Sequence, residues 1–386
     1  MPAVSSSPMP TADVDTGHGL GGSSHLAGVL EVFAAVRDPR QPRGVRHTIG
    51  AVLAIAVAAT VAGARSFTAI GEWIADVPAT ERARLGIDGV VPSESTIRRC
   101  LQRLEPDRLD SLIGAWVWLR TSVIDGRRVI AFDGKTLRGA KDTAGNLTHL
   151  LAGICQRTGT VLAQCAVGAK TNEIPLLPKL LGLLDITGAV ITADALHCQR
   201  ETAEHIVGRG GHYILTVKGN QPNLRRQLRT LPWKQIPVLS RTTEHGHGRY
   251  EIRSLKATEI SDGVLFPHAV QVLQLTRTTR RSRNGKRYTE VVYAVTSLAA
   301  VDAHPGQVAT WLRGHWTIEN RLHWVRDVTF DEDRSQVRTL GGPQVMATVR
   351  NLALSLLRLA GHDNIAAAIR HHSRNPQRPI DLLTTS

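Results

Sequence analysis

The chain has 386 residues, 42% of them hydrophobic, which is enough for the cores of two or three domains and too much for a disordered protein. Forty-seven Lys and Arg against 33 Asp and Glu leave a formal charge of +14, an excess that points to polyanionic partners, DNA or RNA first. Four cysteines, Cys100, Cys155, Cys165 and Cys198, show no CxxC spacing, which argues against a zinc knuckle or a disulfide framework and fits a reducing cytosol.

Residues 1–27 are rich in Ser, Gly and Pro and lack a basic segment followed by an apolar one, so they read as a flexible tail without a secretion signal. Residues 28–120 carry apolar positions at spacings of three and four, the pattern of packed helices. The uncharged stretch 48–64 within them is rich in Ala, Gly and Thr and falls short of the roughly 20 strongly apolar residues a membrane span needs. It reads as a buried helix, and no membrane partner is expected. Residues 37–47, with two prolines and four arginines, form a basic loop. Ser93 or Ser95 can cap a following helix that carries Arg98 and Arg99. That helix could enter a DNA groove in the manner of a helix-turn-helix, or simply present solvated arginines.

From residue 128 short β-branched runs replace the helical spacing. "RVIAFD", "HLLAGICQ" and "VLAQCAVG" read as three strands, followed by alternating helix and strand through "GAVITAD" and "HYILTVKG". This order predicts a mixed α/β sheet flanked by helices. Residues 231–297 interrupt it with three further strands and the basic loop "RRSRNGKR", a β insertion. Helical signals return over 298–362, so that 128–230 and 298–362 make one domain, and 373–386 close the chain as a loose tail.

Two strands finish alike: "VIAFD" on Asp133 and "AVITAD" on Asp194. Side chains converge at the carboxyl ends of sheet strands, and hard divalent cations such as Mg²⁺ prefer oxygen ligands, so the two carboxylates are a candidate metal pair. The bland alternative for each is strand termination or helix capping. A third ligand is found on the returning helix, where Glu319 has His315 four residues before it, His323 four after and Arg326 seven after, all on one face at α-helical spacing. Asp327, Glu332 and Asp333 compete for the same role. His315, Glu319 and His323 also resemble a zinc face, but there is no HExxH and such a site leaves both aspartates without a purpose.

These residues resemble the DDE transposases of bacterial insertion sequences, specifically the H-repeat-associated group. The resemblance runs from about residue 28 nearly to the end, through "FDGKTLRGA", "TADALHCQ", "YILTVKGNQPNL" and "HWTIENRLHWVRDVTFDED". It implies an RNase H-like catalytic domain with a β insertion before the glutamate, a DDE-associated helical domain over 28–120, and Asp133, Asp194 and Glu319 as the metal-binding, catalytic triad. The tyrosine, arginine and lysine that related transposases carry around this glutamate are replaced here by Leu312, His315 and Arg326. The implied activity is binding of terminal repeats, cleavage of the ends with two Mg²⁺ ions, Mn²⁺ substituting, and strand transfer to target DNA. Lys135, Arg138, Lys218, His315, Arg326, Arg98 and Arg99 are the expected DNA contacts. A homodimer or larger synaptic complex in the cytoplasm, on the nucleoid when bound to DNA, is also implied. The alternatives are a non-catalytic DNA-binding protein and an RNase H-like nuclease that cuts without joining.

Overall fold

A computed structural model describes residues 28–121, 127–141, 145–168, 172–246, 248–260, 264–280 and 285–386. The expected tail 1–27 and half of the basic insertion loop, residues 281–284, lie outside these residues.

Nine strands form one sheet: β1 (Val129–Lys141), β2 (Leu147–Cys155), β3 (Val161–Val167), β4 (Val190–Ala193), β5 (His212–Val217), β6 (Ser240–Gly246), β7 (Arg249–Glu259), β8 (Gln271–Arg280) and β9 (Arg287–Thr296). Their order is β3-β2-β1-β4-β5-β9-β8-β7-β6. β1 pairs antiparallel with β2 and parallel with β4, which in turn pairs parallel with β5. An antiparallel trio continued by two parallel strands is the RNase H-like arrangement. The insertion has four strands, one more than expected: β6, "SRTTEHG", is mostly exposed and polar and lacks the apolar alternation that marks the others. It is also not a detached unit, because the last turn of β9 pairs with β5 and completes the central sheet.

Alternation along β1 and β4 sorts the two faces of the sheet. Ile130, Phe132, Ile191 and Ala193 point to one face, where they share a core with the helices Leu176–Leu181 and Arg200–Gly208. Val129 and Val190 point to the other, beneath Val308 and Leu312 of the helix Pro305–Gly314. Beside them Ala131 meets Ile318, Leu322 and Val325. Asp133 and Lys135 follow Ala131 at the same two-residue period, so β1 aims both at the segment that carries Glu319.

The helical residues after 28 do not stand apart. The wholly apolar helix Ile49–Val61 is buried along almost its full length, as its composition requires, and packs against the central helix Gly342–Leu359. That central helix, capped by no side chain but buried on nearly every turn, also lies against the edge strand β3. No helix among the described residues is long and apolar enough to cross a membrane. The four cysteines are free and buried. The expected loose tail is corrected: Gln377–Thr384 is a helix whose Ile380 and Leu383 are buried in the main core, an amphipathic spacing hidden behind two prolines and a polar run.

Candidate active site

The parallel ladder between β1 and β4 ends at Phe132 and Ala193. Asp133 and Asp194 are the next residues of each strand and therefore stand side by side where the pairing stops. The two strands do not end alike: β4 terminates, while β1 runs eight residues past Asp133, still paired to β2. What opens at Asp133 is the gap left by β4, whose chain turns away. Asp194 starts that turn, accepting the Leu196 N–H at 2.8 Å to cap the 3₁₀ turn Ala195–His197. The capping alternative for Asp194 thus holds.

Glu319 comes from a segment with an unusual winding. After the helix Pro305–Gly314 the chain turns at His315 and Trp316 and continues as two π-helical turns, Glu319–His323 and Val325–Thr329. Hydrogen bonding from i to i+5 widens each turn, so a residue seven positions on, which an α-helix returns to the same face, is carried round toward the opposite one. This overturns the expectation that His315, Glu319, His323 and Arg326 share a face. Glu319 and His323 remain together, with His323 Nδ1 3.1 Å from Glu319 Oε2 and 3.7 Å from Asp133 Oδ2. Donor atoms of Asp133, Glu319 and His323 all fall within 4.8 Å of one another. His315 sits on the Asp194 side, its Nδ1 3.5 Å from the Thr192 hydroxyl, which also accepts from Gln156 Nε2 at 2.8 Å.

Arg326 turns inward and is fully buried. Its Nε donates to Glu332 Oε2 at 2.7 Å and its Nη1 to Gln164 at 3.2 Å, while Arg350 donates to the other oxygen of Glu332 at 3.0 Å. It cannot reach phosphate, which corrects its expected DNA role, and Glu332 is excluded as a third ligand by the same pairing. Lys135 is also buried and paired with Asp327, so neither is a free phosphate contact or metal ligand. Asp333 stands 3.7 Å from Arg138. Lys218 is exposed near His315, and Arg138 is exposed five residues beyond Asp133 on β1; Arg98 pairs with Glu94 at 3.0 Å and Arg99 donates to the Ser95 carbonyl, both accessible on the capped helix Glu94–Arg103.

A second cluster lies behind Asp133 and was not visible in the sequence. Glu173 packs against Gly134, where a Cβ would collide with its carboxylate. His149, opposite Thr136 on β2, contacts Glu173 at 2.6 Å, and buried His197 contacts its other oxygen at 3.3 Å. The only sequence signal was that His149 and His197 flank recognisable strands; nothing marked Glu173 as their common partner.

Charge in the site is poorly compensated. Burial raises the Asp133 carboxyl to about 6, with Asp194 and Glu173 adding to the rise against the pull of His323. Glu319 is lowered, chiefly by its hydrogen bond with His323. Burial works against the Glu173 anion, yet the hydrogen bonds of His149 and His197 outweigh it and hold the group at about 2. His315 is pushed down to about 4 by desolvation and stays neutral near pH 7, so it can offer phosphate a hydrogen bond but no charge. Partly buried carboxylates brought together with an imidazole, and with no arginine or lysine ion-paired to them among the described residues, offer the donors of a cation site.

Sequence comparison identifies the family. Residues 30–117 match a DDE_Tnp_1-associated model and residues 124–356 match a Transposase DDE domain model. A protein described as "Putative transposase YncI" from Escherichia coli O157:H7 is 29% identical over 86% of this chain and 88% of its own length. The "H repeat-associated putative transposase YhhI" of Escherichia coli strain K12 is 29% identical over 86% of this chain and 90% of its own. Among solved structures, a piggyBac transposase synaptic complex with hairpin DNA covers 92% of this chain and 74% of its own, at 11% identity and a TM-score of 0.42, too loose a match to place any residue. With the domain model spanning the whole sheet, both strand aspartates and the glutamate segment, the chain belongs to the DDE transposase family.

Proposed function

We propose that this protein binds the terminal repeats of its own element, cleaves the ends in a metal-dependent reaction and transfers the freed 3′-hydroxyls to target DNA. The observation that supports the reading is that Asp133 follows the last β1–β4 pair beside Asp194 and has donor atoms of Glu319 and His323, from a distant π-helical turn, within 4.8 Å. Asp133, with Asp194 beside it and Glu319 near it, would hold divalent cations together with both. Divalent cations held there would supply activation of the attacking oxygen and stabilisation of the leaving one.

The chain's own part is to set the geometry. The β1–β4 register fixes the two aspartates, and the Leu196 N–H orients Asp194. The Glu173 clamp supports β1 from the opposite face. Arg138 and Lys218, exposed at the rim, would take the flanking phosphates, and neutral His315 would donate a hydrogen bond beside Asp194. Arg98 and Arg99 would add contacts from the helical domain, and a dimer or larger complex would hold two ends together in the cytoplasm. Asp133→Asn and Asp194→Asn test the reading with end DNA and Mg²⁺: each should abolish nicking and strand transfer while gel-shift affinity for the ends stays within a few-fold. Undiminished cleavage in both variants would refute it. Nicking without any joined product would favour the nuclease alternative.

A further inference from the structure

Resting on the proposed two-metal reading, we propose that His323 is a direct metal ligand, so that the seat between Asp133 and Glu319 has a nitrogen–oxygen–oxygen donor set and prefers Mn²⁺ or another borderline cation over Mg²⁺. Three observations carry this. First, Nδ1 of His323 faces both carboxylates, at 3.1 Å from Glu319 and 3.7 Å from Asp133. Ligand bonds of about 2.0–2.2 Å to one ion place adjacent donors roughly 3 Å apart, the scale of this cluster. Second, the ring is 5% exposed and, among the described residues, its Nε2 has no hydrogen-bond partner, so the polar contacts seen for it lie on the site side. A histidine retained only to orient Glu319 would need no approach to Asp133. Third, Lys135, which follows Asp133 on the same face of β1, is ion-paired with Asp327, and among the described residues no lysine or arginine is ion-paired with Asp133 or Glu319.

The chemical consequence is an unequal pair of seats. The Asp133–Asp194 side offers carboxylate oxygens and suits a hard, hydrated ion. The Asp133–Glu319–His323 side adds imidazole, a donor that favours later first-row metals and that Mg²⁺ takes poorly. The π-helical turn makes this possible, since it keeps Glu319 and His323 adjacent while turning Arg326 away from the ion.

The full-length protein loaded with Mn²⁺ alone provides the test. Pulsed electron paramagnetic resonance should show ¹⁴N modulation from a directly bound nitrogen. Incorporating ¹⁵N-histidine should convert it to the ¹⁵N pattern, which identifies imidazole without any variant. In His323→Gln the modulation should vanish and Mn²⁺ affinity by calorimetry should fall roughly tenfold or more, the lower end of what even an outer-shell loss costs; Mg²⁺ affinity should change far less. His315→Gln should keep the modulation. A Mn²⁺ spectrum without histidine nitrogen, or one lost in His315→Gln and retained in His323→Gln, overturns the assignment. Asp133→Asn separates the two levels: if it abolishes Mn²⁺ binding while no histidine nitrogen is seen, the triad stands and only the His323 role fails. If Mn²⁺ binding survives Asp133→Asn, the site itself has been misread.

Discussion

The same short stretch, residues 319–332, supplies two clusters of charged side chains that differ in one respect. At its start, Glu319 and Asp133 lie close together, partly exposed, with the His323 imidazole against both. At its end, Glu332 is sealed between Arg326 and Arg350 with all three side chains at most 3% exposed, and Gln164 and Asn351 complete the network. In the second cluster each oxygen of the carboxylate is bonded by an arginine, and among the described residues the first has no such pairing. Buried charge that finds its own counter-charge is there for architecture; charge left uncompensated in a concave place waits for something from outside.

Several experiments press on that contrast. The largest effect should come from Asp133→Asn, with cleavage falling below detection while the fold is not weakened. Because the folded pKa of Asp133 is raised to about 6, above its ordinary value of 3.8, its contribution favours the folded state at low pH and is lost as pH rises through 6. Thermal unfolding without divalent ions should therefore show Asp133→Asn equal to or more stable than the wild type at pH 8, and added Mn²⁺ should stabilise only the wild type. Loss of stability at pH 8 in the variant would mean that Asp133 is architectural after all.

Glu332→Gln should do the opposite, costing about 3–5 kcal/mol in urea unfolding by leaving two arginines buried without their anion. A cost below 1 kcal/mol would dissolve the distinction between the clusters. Gly134→Ala should cost about 1–3 kcal/mol by driving a methyl into Glu173, and should lower activity along with stability.

A subtler case is Asp110, buried on the helix Pro106–Arg120, which accepts from Thr348, Gln344 and Gln164 and joins that helix to the architectural network. Burial raises it to about 7 against those hydrogen bonds. Stability it provides is complete below pH 4 and declines as pH climbs toward 7, so Asp110→Asn should flatten the unfolding midpoint between pH 5 and 8 relative to the wild type. An unchanged pH profile would show that the network holds the carboxylate ionised. The smallest effects belong to the rim: Lys218→Ala and Arg138→Ala should each reduce the salt slope of DNA binding by about one and weaken all sequences alike. Equal slopes in variants and wild type would remove these residues from the interface.

The apolar strands, their two terminal-looking aspartates and the glutamate could all be read in the sequence because each is marked locally: β-branched runs stop at acid, and helical spacing resumes around Glu319. The insertion was legible through its alternating strands β7, β8 and β9, whereas exposed β6 was not, since a strand without a buried face carries no period. Arg326 was misassigned for a definite reason. Its place relative to Glu319 was counted at the α-helical period, and the backbone there winds more widely.

What the sequence by itself determined is the local character of each piece: which runs bury, where acids interrupt them, and how positive the whole chain is. Only tertiary structure decided which charges meet. The β1–β4 register brought Asp133 beside Asp194, the π-helical turns gave His323 to the site and Arg326 to the core, and packing against Gly134 set Glu173 between two histidines. The physical reason is that burial follows from a residue and its near neighbours, while electrostatic partnership depends on distances between segments far apart in the chain, which no local pattern encodes.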